Sequence, residues 1–390
     1  NILRSMSLLD KMISTSVRDS STTSLPYDPF LLKESCRNKP TSFEISFVID
    51  EDRYRYGFEF NSVEIKTEWL FRKSVGREVP LFNRESDTID VSSGYKGSKN
   101  IINAAIEATR PNALFLSTCD ALNLDEATRI MKWFGQFIMI DGLNAQNEKI
   151  KTVELWQKEE YKKKIKSYIA NLGLNVIDLE VTSKEVDETD LGNKMSPTLR
   201  EELYKLFKGQ KQYSVFALHS EYDEEGKPTE QVISWRWDER ESSGAQQALR
   251  MSGPVLWALA SGGVLIIDEI EARLHPAMTL NTIEAFLNIE SNPHGSQLIF
   301  ATHDTNLLTY SKLRRDQIYF AEKNKWESTE LYSLSDFKYV EEKSGEIVVT
   351  KERPDTDKEK RYIEGRYGAI PALGNFKKFI RKTQWQKEEN

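Results

Sequence analysis

A run of four aliphatic residues, Val264 to Ile267, constrains the fold of this chain more than any other feature, because it ends in Asp268 and Glu269. An uninterrupted apolar run is typical of a strand that is covered on both faces, as in a parallel sheet. The two carboxylates would then lie at the carboxyl end of the strand, where open α/β sheets bind their ligands. Because paired carboxylates repel each other and lose hydration there, the pattern favours a bound divalent cation or a polarised water. The alternative is a strand that leaves the core at a solvated acidic turn.

The first run passes without a turn signal into helix-like sequence, and a second apolar run follows at Leu298 to Ala301. This second run leads directly into the stretch that carries His303. A helical pattern around residues 281–287 separates the two runs, so they are predicted to be parallel neighbours. His303 would then lie at the same edge of the sheet as Asp268. The alternative is a histidine that is merely exposed or hydrogen-bonded at the end of a strand.

The segment "ESSGAQQALRM", Glu241 to Met251, places Ser242, Ser243 and Gly244 immediately before a helical pattern. Small residues at the start of a helix expose unpaired backbone amides and the positive end of the helix dipole, which together form an anion site. The alternative is an ordinary serine N-cap. The separation from Asp268 leaves room for one helix, with a kink expected at Pro254, and the buried strand.

The composition excludes several classes of protein. A net charge of −7 over 390 residues argues against a generally basic nucleic-acid binder, although it leaves room for a local basic groove. Cys36 and Cys119 match no metal-binding spacing, which favours a reducing, cytoplasmic compartment. Neither a secretory signal nor an apolar stretch of about 18 residues is present, so we expect no membrane association.

The chain is predicted to have three parts. Residues 1–98 contain an N-terminal helix and an antiparallel β lobe, in which alternating aromatic residues between positions 41 and 95 form the core. Residues 99–212 are predicted to be a mostly helical insertion, with "EATRIMKWFGQFIMI" among its clearest helical segments. Residues 213–390 begin with a strand pair around the turn "DEEGKP" and then contain both apolar runs.

These segments resemble, in order, the motifs of the ABC-type ATPase head shared by SMC, RecF and OLD proteins. "ESSGAQ" is similar to the signature loop, "VLIIDE" to the Walker B strand, "EARLHP" to the D-loop and "ATHD" to the switch-histidine strand. The closer resemblance is to the AAA/OLD-like ATPases of bacterial phage-defence operons, of the abortive-infection AbiL and RloA type, in which "ALFLS", "WF" and a late "GRYGAIP" recur. The resemblance implies an α/β P-loop NTPase head with an antiparallel β lobe and an inserted helical arm.

The resemblance also implies the role of each site residue. Asp268 would hold Mg²⁺ through its water shell, Glu269 would polarise the attacking water, and His303 would contact the γ phosphate of ATP or that water. Two further sets are implied to act across a head-to-head dimer: Ser242, Ser243, Gly244 and Gln246 on the γ phosphate bound by the partner, and Glu271, Arg273 and His275 in coupling the two sites.

One motif of the resembled family is absent from these residues. No G-x-x-x-x-G-K-[ST] sequence occurs, although this loop supplies the amides and the lysine that hold the β and γ phosphates. In the family it comes directly before a helix like the one that begins near Asn1. The expectation is therefore that the loop precedes Asn1, and the alternative is a true loss that would make the protein a pseudo-ATPase.

The expected function is that of a dimeric ATPase, or a higher oligomer, that senses infection and controls a separately encoded toxic effector, with a nuclease as one candidate. Two alternatives stay open. A RecF-like enzyme of DNA maintenance would bind nucleic acid and would show DNA-stimulated turnover with a steep dependence on salt. A non-hydrolysing scaffold would only assemble partners.

Overall fold

The computed structural model describes residues 2–141, 146–185, 196, 201–202, 204, 208–209, 211–343, 346–351 and 356–370. The chain divides into two compact units. The first comprises the described residues of Asn1–Asp28 and Pro40–His303, and the second comprises those of Pro29–Lys39 and Asp304–Asn390. The three-part division drawn from the sequence stays a prediction. Among the described residues, the search for a helix long and apolar enough to cross a membrane finds none.

Residues 41–91 form the antiparallel β lobe that the alternating pattern predicts. Its five strands pair in chain order: β1 Thr41–Ile49, β2 Asp52–Phe60, β3 Ile65–Lys73, β4 Val79–Glu85 and β5 Thr88–Val91. Asp50 closes the first hairpin with a φ of 54°, a left-handed conformation that aspartate tolerates. The predicted aromatic core of the lobe is confirmed, because one set of rings on β2 is fully buried: Tyr54, Tyr56, Phe58 and Phe60.

Gly57 lies in the middle of β2, where the indole ring of Trp69 covers it. A Cβ atom at this position would lie 2.4 Å from Trp69 Cζ2 and 2.7 Å from the carbonyl oxygen of Phe43. We expect Gly57→Ala to lower the free energy of unfolding by about 1–3 kcal/mol, because the added methyl group overpacks the lobe. Urea unfolding measures the effect. Gly135→Ala is the control, since the new Cβ atom would lie 3.4 Å from the carbonyl oxygen of Lys132, and equal losses in the two variants would contradict the prediction.

Four helices share a core with the lobe: α1 Ile2–Thr15, α2 Lys99–Ala108, α3 Phe115–Ala121 and α4 Asp125–Phe134. The fully buried carboxylate of Glu68 on β3 connects the lobe to α3. It accepts hydrogen bonds from the Tyr56 hydroxyl at 2.9 Å and from the backbone N–H groups of Phe115 at 2.7 Å and Leu116 at 3.0 Å. The carboxylate thereby satisfies amides at the start of α3 that have no partner inside the helix.

Burial raises the pKa of Asp10, on α1, to about 6. Because the pKa in the folded state is higher than in the unfolded state, ionised Asp10 opposes folding. This cost is absent at a pH below 3.8, grows as the pH rises, and is fully present above about pH 6. We expect Asp10→Asn to stabilise the protein at pH 7.5 by on the order of 2 kcal/mol relative to its effect at pH 4. Urea unfolding at both pH values measures this, with the exposed Asp87→Asn as control, and an equal effect of Asp10→Asn at the two pH values would contradict it.

The helix predicted over "EATRIMKWFGQFIMI" is correct in its first part and wrong in its last. Helix α4 ends at Phe134, and strand β6, Phe137–Asp141, takes up the final four apolar residues and Asp141. Gly135 follows the helix and its N–H still donates to the carbonyl oxygen of Met131. The apolar residues of β6 suit a helix or a strand equally well, and parallel pairing with residues 264–268 decides the matter in favour of a strand.

Between residues 146 and 240, the described part of the chain includes helices and a second antiparallel sheet. Their bounds are α5 Gln146–Trp156, α6 Glu159–Asn171, β7 Asp178–Glu185, β8 Lys211–Tyr222, β9 Pro228–Arg236 and α7 Trp237–Arg240. The three strands pair in the order β7, β8 and β9, so the predicted hairpin around "DEEGKP" is confirmed.

Helix α8, Ser243–Ser261, continues through Pro254, and Thr152 on α5 replaces the hydrogen bonds that the proline disrupts. Proline has no N–H, so the carbonyl group of Arg250 loses its usual donor. The Thr152 hydroxyl donates to that carbonyl oxygen at 2.9 Å and accepts from the N–H of Gly253 at 3.0 Å. A Cβ atom at Gly253 would lie 2.5 Å from Thr152 Cα, so only glycine permits this approach.

Strand β10, Val264–Asp268, lies at the centre of a three-stranded parallel sheet. Helix α9, Pro276–Leu287, connects it to β11, Gln297–Phe300, and the strand order is β11, β10 and β6. The predicted burial of the first apolar run is confirmed, and so is its parallel pairing with the second. In contrast to β10, strand β11 is only partly buried, because it pairs on one side among the described residues.

The second unit has a small core of its own, formed by Ile318, Phe320, Leu334 and Tyr367. Its elements are α10 Leu307–Tyr310, β12 Tyr319–Lys323, β13 Thr329–Ser333, β14 Lys338–Lys343, β15 Glu346–Lys351 and α11 Lys358–Ile363. The late motif "GRYGAIP" contributes Tyr367 to this core, and its Pro371 lies outside the described residues.

Candidate functional site

The ends of β10 and β11 meet at one edge of the parallel sheet. Ile267 pairs with Phe300, and the pairing continues beyond the strands, because Ala301 N–H donates to the Ile267 carbonyl oxygen at 3.0 Å. Asp268 at the end of β10 and His303 just beyond the end of β11 therefore belong to adjacent strands, as the sequence predicts. Their orientation toward the first turn of α1 stays a prediction, and Asn1 lies outside the described residues.

Asp268 is the last residue of β10 and is partly buried. It stands opposite Asp141 in the pairing with β6, and its side chain makes no hydrogen bond or ion pair with the described part of the chain. Within that same part, no cluster of three or more His, Cys, Asp or Glu residues could hold a metal ion. A dedicated protein cage is thus lacking there, but Mg²⁺ commonly keeps several waters and takes only one or two carboxylates together with substrate phosphates. Asp268 fits that second kind of site.

Glu269 adopts a left-handed backbone conformation with φ of 52°, and Arg273 does the same with φ of 62°. This conformation costs a non-glycine residue roughly 1–2 kcal/mol, and residues that keep it are concentrated at functional sites. The helix-like sequence directly after the first run therefore does not form a helix until Pro276. A compact loop of residues 269–275 comes between β10 and α9, and turn bonds such as that from Ala272 N–H to the Glu269 carbonyl oxygen, at 2.9 Å, hold it. No glycine marks this loop, so its backbone turn has no local signal, and only the resemblance of "EARLHP" to a D-loop indicates it.

Glu271 joins this loop to the residues that follow β11. One carboxylate oxygen accepts a hydrogen bond from the Thr302 hydroxyl at 2.6 Å, and the other accepts from the backbone N–H of His303 at 2.8 Å. Both oxygens thus accept bonds from the same chain, and the coupling of two subunits that the resemblance implies for Glu271 stays a prediction. Thr302 is a contributor to the site that the sequence did not single out as a site residue.

The start of α8 shows that the serine N-cap interpretation is correct for Ser242. Its hydroxyl accepts a hydrogen bond from Ala245 N–H at 3.1 Å, while Ser243 is exposed. A Cβ atom at Gly244 would lie 3.0 Å from the carbonyl oxygen of Arg273, so this helix start packs closely on the loop of residues 269–275. The side-chain N–H₂ of Gln246 donates to two carbonyl oxygens of its own chain, at Asp238 and Glu241.

Three residues that the sequence did not single out hold the segment before α8. Glu241 accepts a hydrogen bond from Trp235 Nε1 at 2.9 Å, and the same oxygen lies 2.8 Å from His219 Nε2. The rings of His219 and Trp235 stack with their centroids 4.2 Å apart. The hairpin of β8 and β9 thereby fixes the residue that directly precedes Ser242. The sequence carries no signal for this contact, because it depends on the register of the two strands.

The last two predicted residues are exposed. His275 is the N-cap of α9, where its Nδ1 accepts a hydrogen bond from Ala277 N–H at 3.2 Å. Arg273 lies two residues before it. All ten predicted site residues thus belong to three neighbouring segments of the first unit: the end of β10 with its following loop, the end of β11, and the start of α8. This arrangement places one partly buried carboxylate pair, one histidine and one exposed helix N-terminus around the same edge of the sheet.

Comparison with known proteins identifies a family but gives no usable structural relative. Among solved structures, the chain matches the recombination mediator protein RecF with ATPγS at 11% identity, covering 66% of this chain and 76% of that chain, with a TM-score of 0.18, which is too low to support a shared fold. No curated protein matches the chain. A family model described as "AAA domain, putative AbiEii toxin, Type IV TA system" matches residues 1–309. Because this match covers more than half of the 390 residues, the chain belongs to that AAA domain family.

Proposed function

We propose that this chain is the head of an ABC-type ATPase that binds and hydrolyses ATP with Mg²⁺. The observation that carries the proposal is the meeting of Asp268, Glu269 and His303 at the carboxyl edge of two parallel strands, in a chain of the AAA domain family. ATP hydrolysis of this kind also requires a P-loop lysine, and the 390 residues contain no P-loop sequence.

Each residue at the edge has a proposed task. Asp268, which has no partner in the described part of the chain, holds Mg²⁺ through a water molecule. Bound Mg²⁺ neutralises charge on the phosphates. Glu269 orients the attacking water and accepts its proton, and His303 contacts the γ phosphate or that water. The left-handed backbone at Glu269 supports a special role, because the conformation is unfavourable for a glutamate unless the site requires it.

The proposal includes a head-to-head dimer, or a higher oligomer built from it. Ser242, Ser243, Gly244 and Gln246 form the start of a 19-residue helix, and the exposed Ser243 leaves that end open to an anion on a partner. Arg273 and His275 are exposed on the neighbouring loop and would couple the two sites.

The biological role that we propose is regulation of a separately encoded toxic effector in bacterial anti-phage defence in the cytoplasm. The family description, which names a toxin and a type IV TA system, supports a role in controlling a toxic effector. A nuclease is the effector that we would test first. Binding of nucleic acid belongs to the same proposal only if DNA or RNA is part of the trigger.

Phosphate release from the intact protein tests the proposal. We expect turnover of Mg-ATP that stops when EDTA removes the metal, with little response to added DNA. Turnover that requires DNA and falls steeply between 50 and 200 mM salt, in the manner expected of phosphate-contacting proteins, would favour a DNA-maintenance enzyme. Absence of both ATP binding and turnover would favour a scaffold.

A further inference from the structure

We propose that Glu271 is a positioning residue that sets the place of His303 within its own chain. The residue does not touch the reacting atoms. Its carboxylate instead bridges the loop of residues 269–275 and the end of β11. The catalytic consequence of this inference rests on the proposed ATPase function, whereas the contact itself can be tested without ATP.

Both carboxylate oxygens of Glu271 accept a hydrogen bond, and the two donors belong to consecutive residues. The Thr302 hydroxyl donates at 2.6 Å and the His303 backbone N–H donates at 2.8 Å. Hydrogen bonds to a charged acceptor are short and stronger than neutral ones. Because His303 is exposed and lies three residues beyond the last residue of β11, strand pairing does not hold its backbone. The Glu271 carboxylate supplies the missing restraint.

The same loop carries Glu269 and touches the start of α8. Ile270 N–H donates to the Ala301 carbonyl oxygen at 3.2 Å, so the backbone beside Glu271 is also tied to β11. Two residues beyond Glu271, the Arg273 carbonyl oxygen lies where a side chain at Gly244 would make a tight contact of 3.0 Å. Glu271 therefore fixes the distance between Glu269 and His303. A displacement of the segment around Gly244 would be transmitted to His303 through Glu271.

Three variants and one control separate this role from a general stabilising one. Glu271→Ala removes both bonds, Thr302→Val removes one, and Glu271→Gln keeps an oxygen that can accept from His303 N–H. Glu290→Ala is the control, because Glu290 is an exposed carboxylate after the end of α9. Each protein is measured for hydrogen exchange at the His303 amide, without nucleotide, and for kcat and KM with Mg-ATP.

For Glu271→Ala we expect at least about tenfold faster exchange at His303, because a protecting bond is lost. We expect kcat to fall by about 100-fold with KM changed little, since a small misplacement of a catalytic group acts on the chemical step. For Thr302→Val, the exchange rate at His303 and the kcat should both lie between those of Glu271→Ala and wild type. Glu271→Gln should restore most of the kcat, which a purely charge-based role would not allow.

Unchanged exchange at His303 in Glu271→Ala would overturn the inference, because the bond would then not restrain the backbone. Faster exchange with unchanged kcat would overturn the positioning role. If Glu271→Ala does not fold, the same two measurements on Thr302→Val and Glu271→Gln test the inference. A Thr302→Val protein with wild-type exchange at His303 and wild-type kcat would then overturn the inference. An inactive wild-type protein would instead refute the proposed ATPase function, and with it the catalytic role of Glu271, while the exchange measurement would still report on the contact.

Discussion

Glu269→Gln is expected to lower ATP turnover by about 100- to 10,000-fold while leaving ATP binding intact. The substitution keeps the shape and the hydrogen-bonding capacity of the side chain but removes the group that accepts the proton of the attacking water, a contribution of this size in other enzymes. Since ATP is still bound but not hydrolysed, the closed dimer should accumulate. The loss should appear in kcat, with little change in KM.

Steady-state phosphate release measures the turnover, and light scattering with ATP present measures the dimer. Glu290→Gln is the matched control, an exposed glutamate outside the site. The backbone at position 269 is left-handed, with φ of 52°. Glutamate and glutamine pay the same cost for this conformation, so the folded structure should be retained. Turnover that matches wild type would remove Glu269 from its proposed role.

Mixing two inactive variants is expected to restore activity if each site is built from two subunits. Ser243→Glu sets a carboxylate at the exposed start of α8, where it repels a phosphate bound by the partner. The change leaves the helix itself stable, because an acidic residue in the first turn favours the dipole. Glu269→Gln disables the other half of the site. In a mixed dimer, the intact Glu269 of one subunit meets the intact Ser243 of the other, and one working site returns.

Random exchange at equal concentrations makes about half of the dimers mixed, each with one of its two sites intact, so recovery should approach about a quarter of wild-type turnover. Ser243 is a cleaner position for this test than Gly244, because any side chain at Gly244 would press on the Arg273 carbonyl oxygen of its own chain. Ser261→Glu, a change at the opposite end of α8, is the control variant. A mixture that stays inactive, despite subunit exchange confirmed by mass-tagged protein, would defeat the composite site.

The local sequence was sufficient to predict the two strands that end at the candidate site. Val264 to Ile267 and the run before His303 are short apolar runs that each end in charged or polar residues, and the helical pattern between them implies a parallel pair of strands. The antiparallel lobe followed from strict alternation, which has a single structural meaning. These predictions rest on the local order of apolar and polar side chains. That order indicates directly which residues of a strand are buried.

Three features were decided only by the tertiary structure. Strand β6 has residues that suit a helix as well as a strand, and pairing with β10 selects the strand. The loop of residues 269–275 has no glycine, although the backbone at Glu269 and Arg273 is left-handed. Contacts with the end of β11 stabilise this conformation, which neither residue favours alone. The contacts of Glu271 with Thr302 and His303 span about thirty residues of chain and depend on the register of β10 with β11, which no local pattern encodes. The sequence by itself therefore determined which groups reach the edge of the sheet, and the packing of distant segments determined how they are held there.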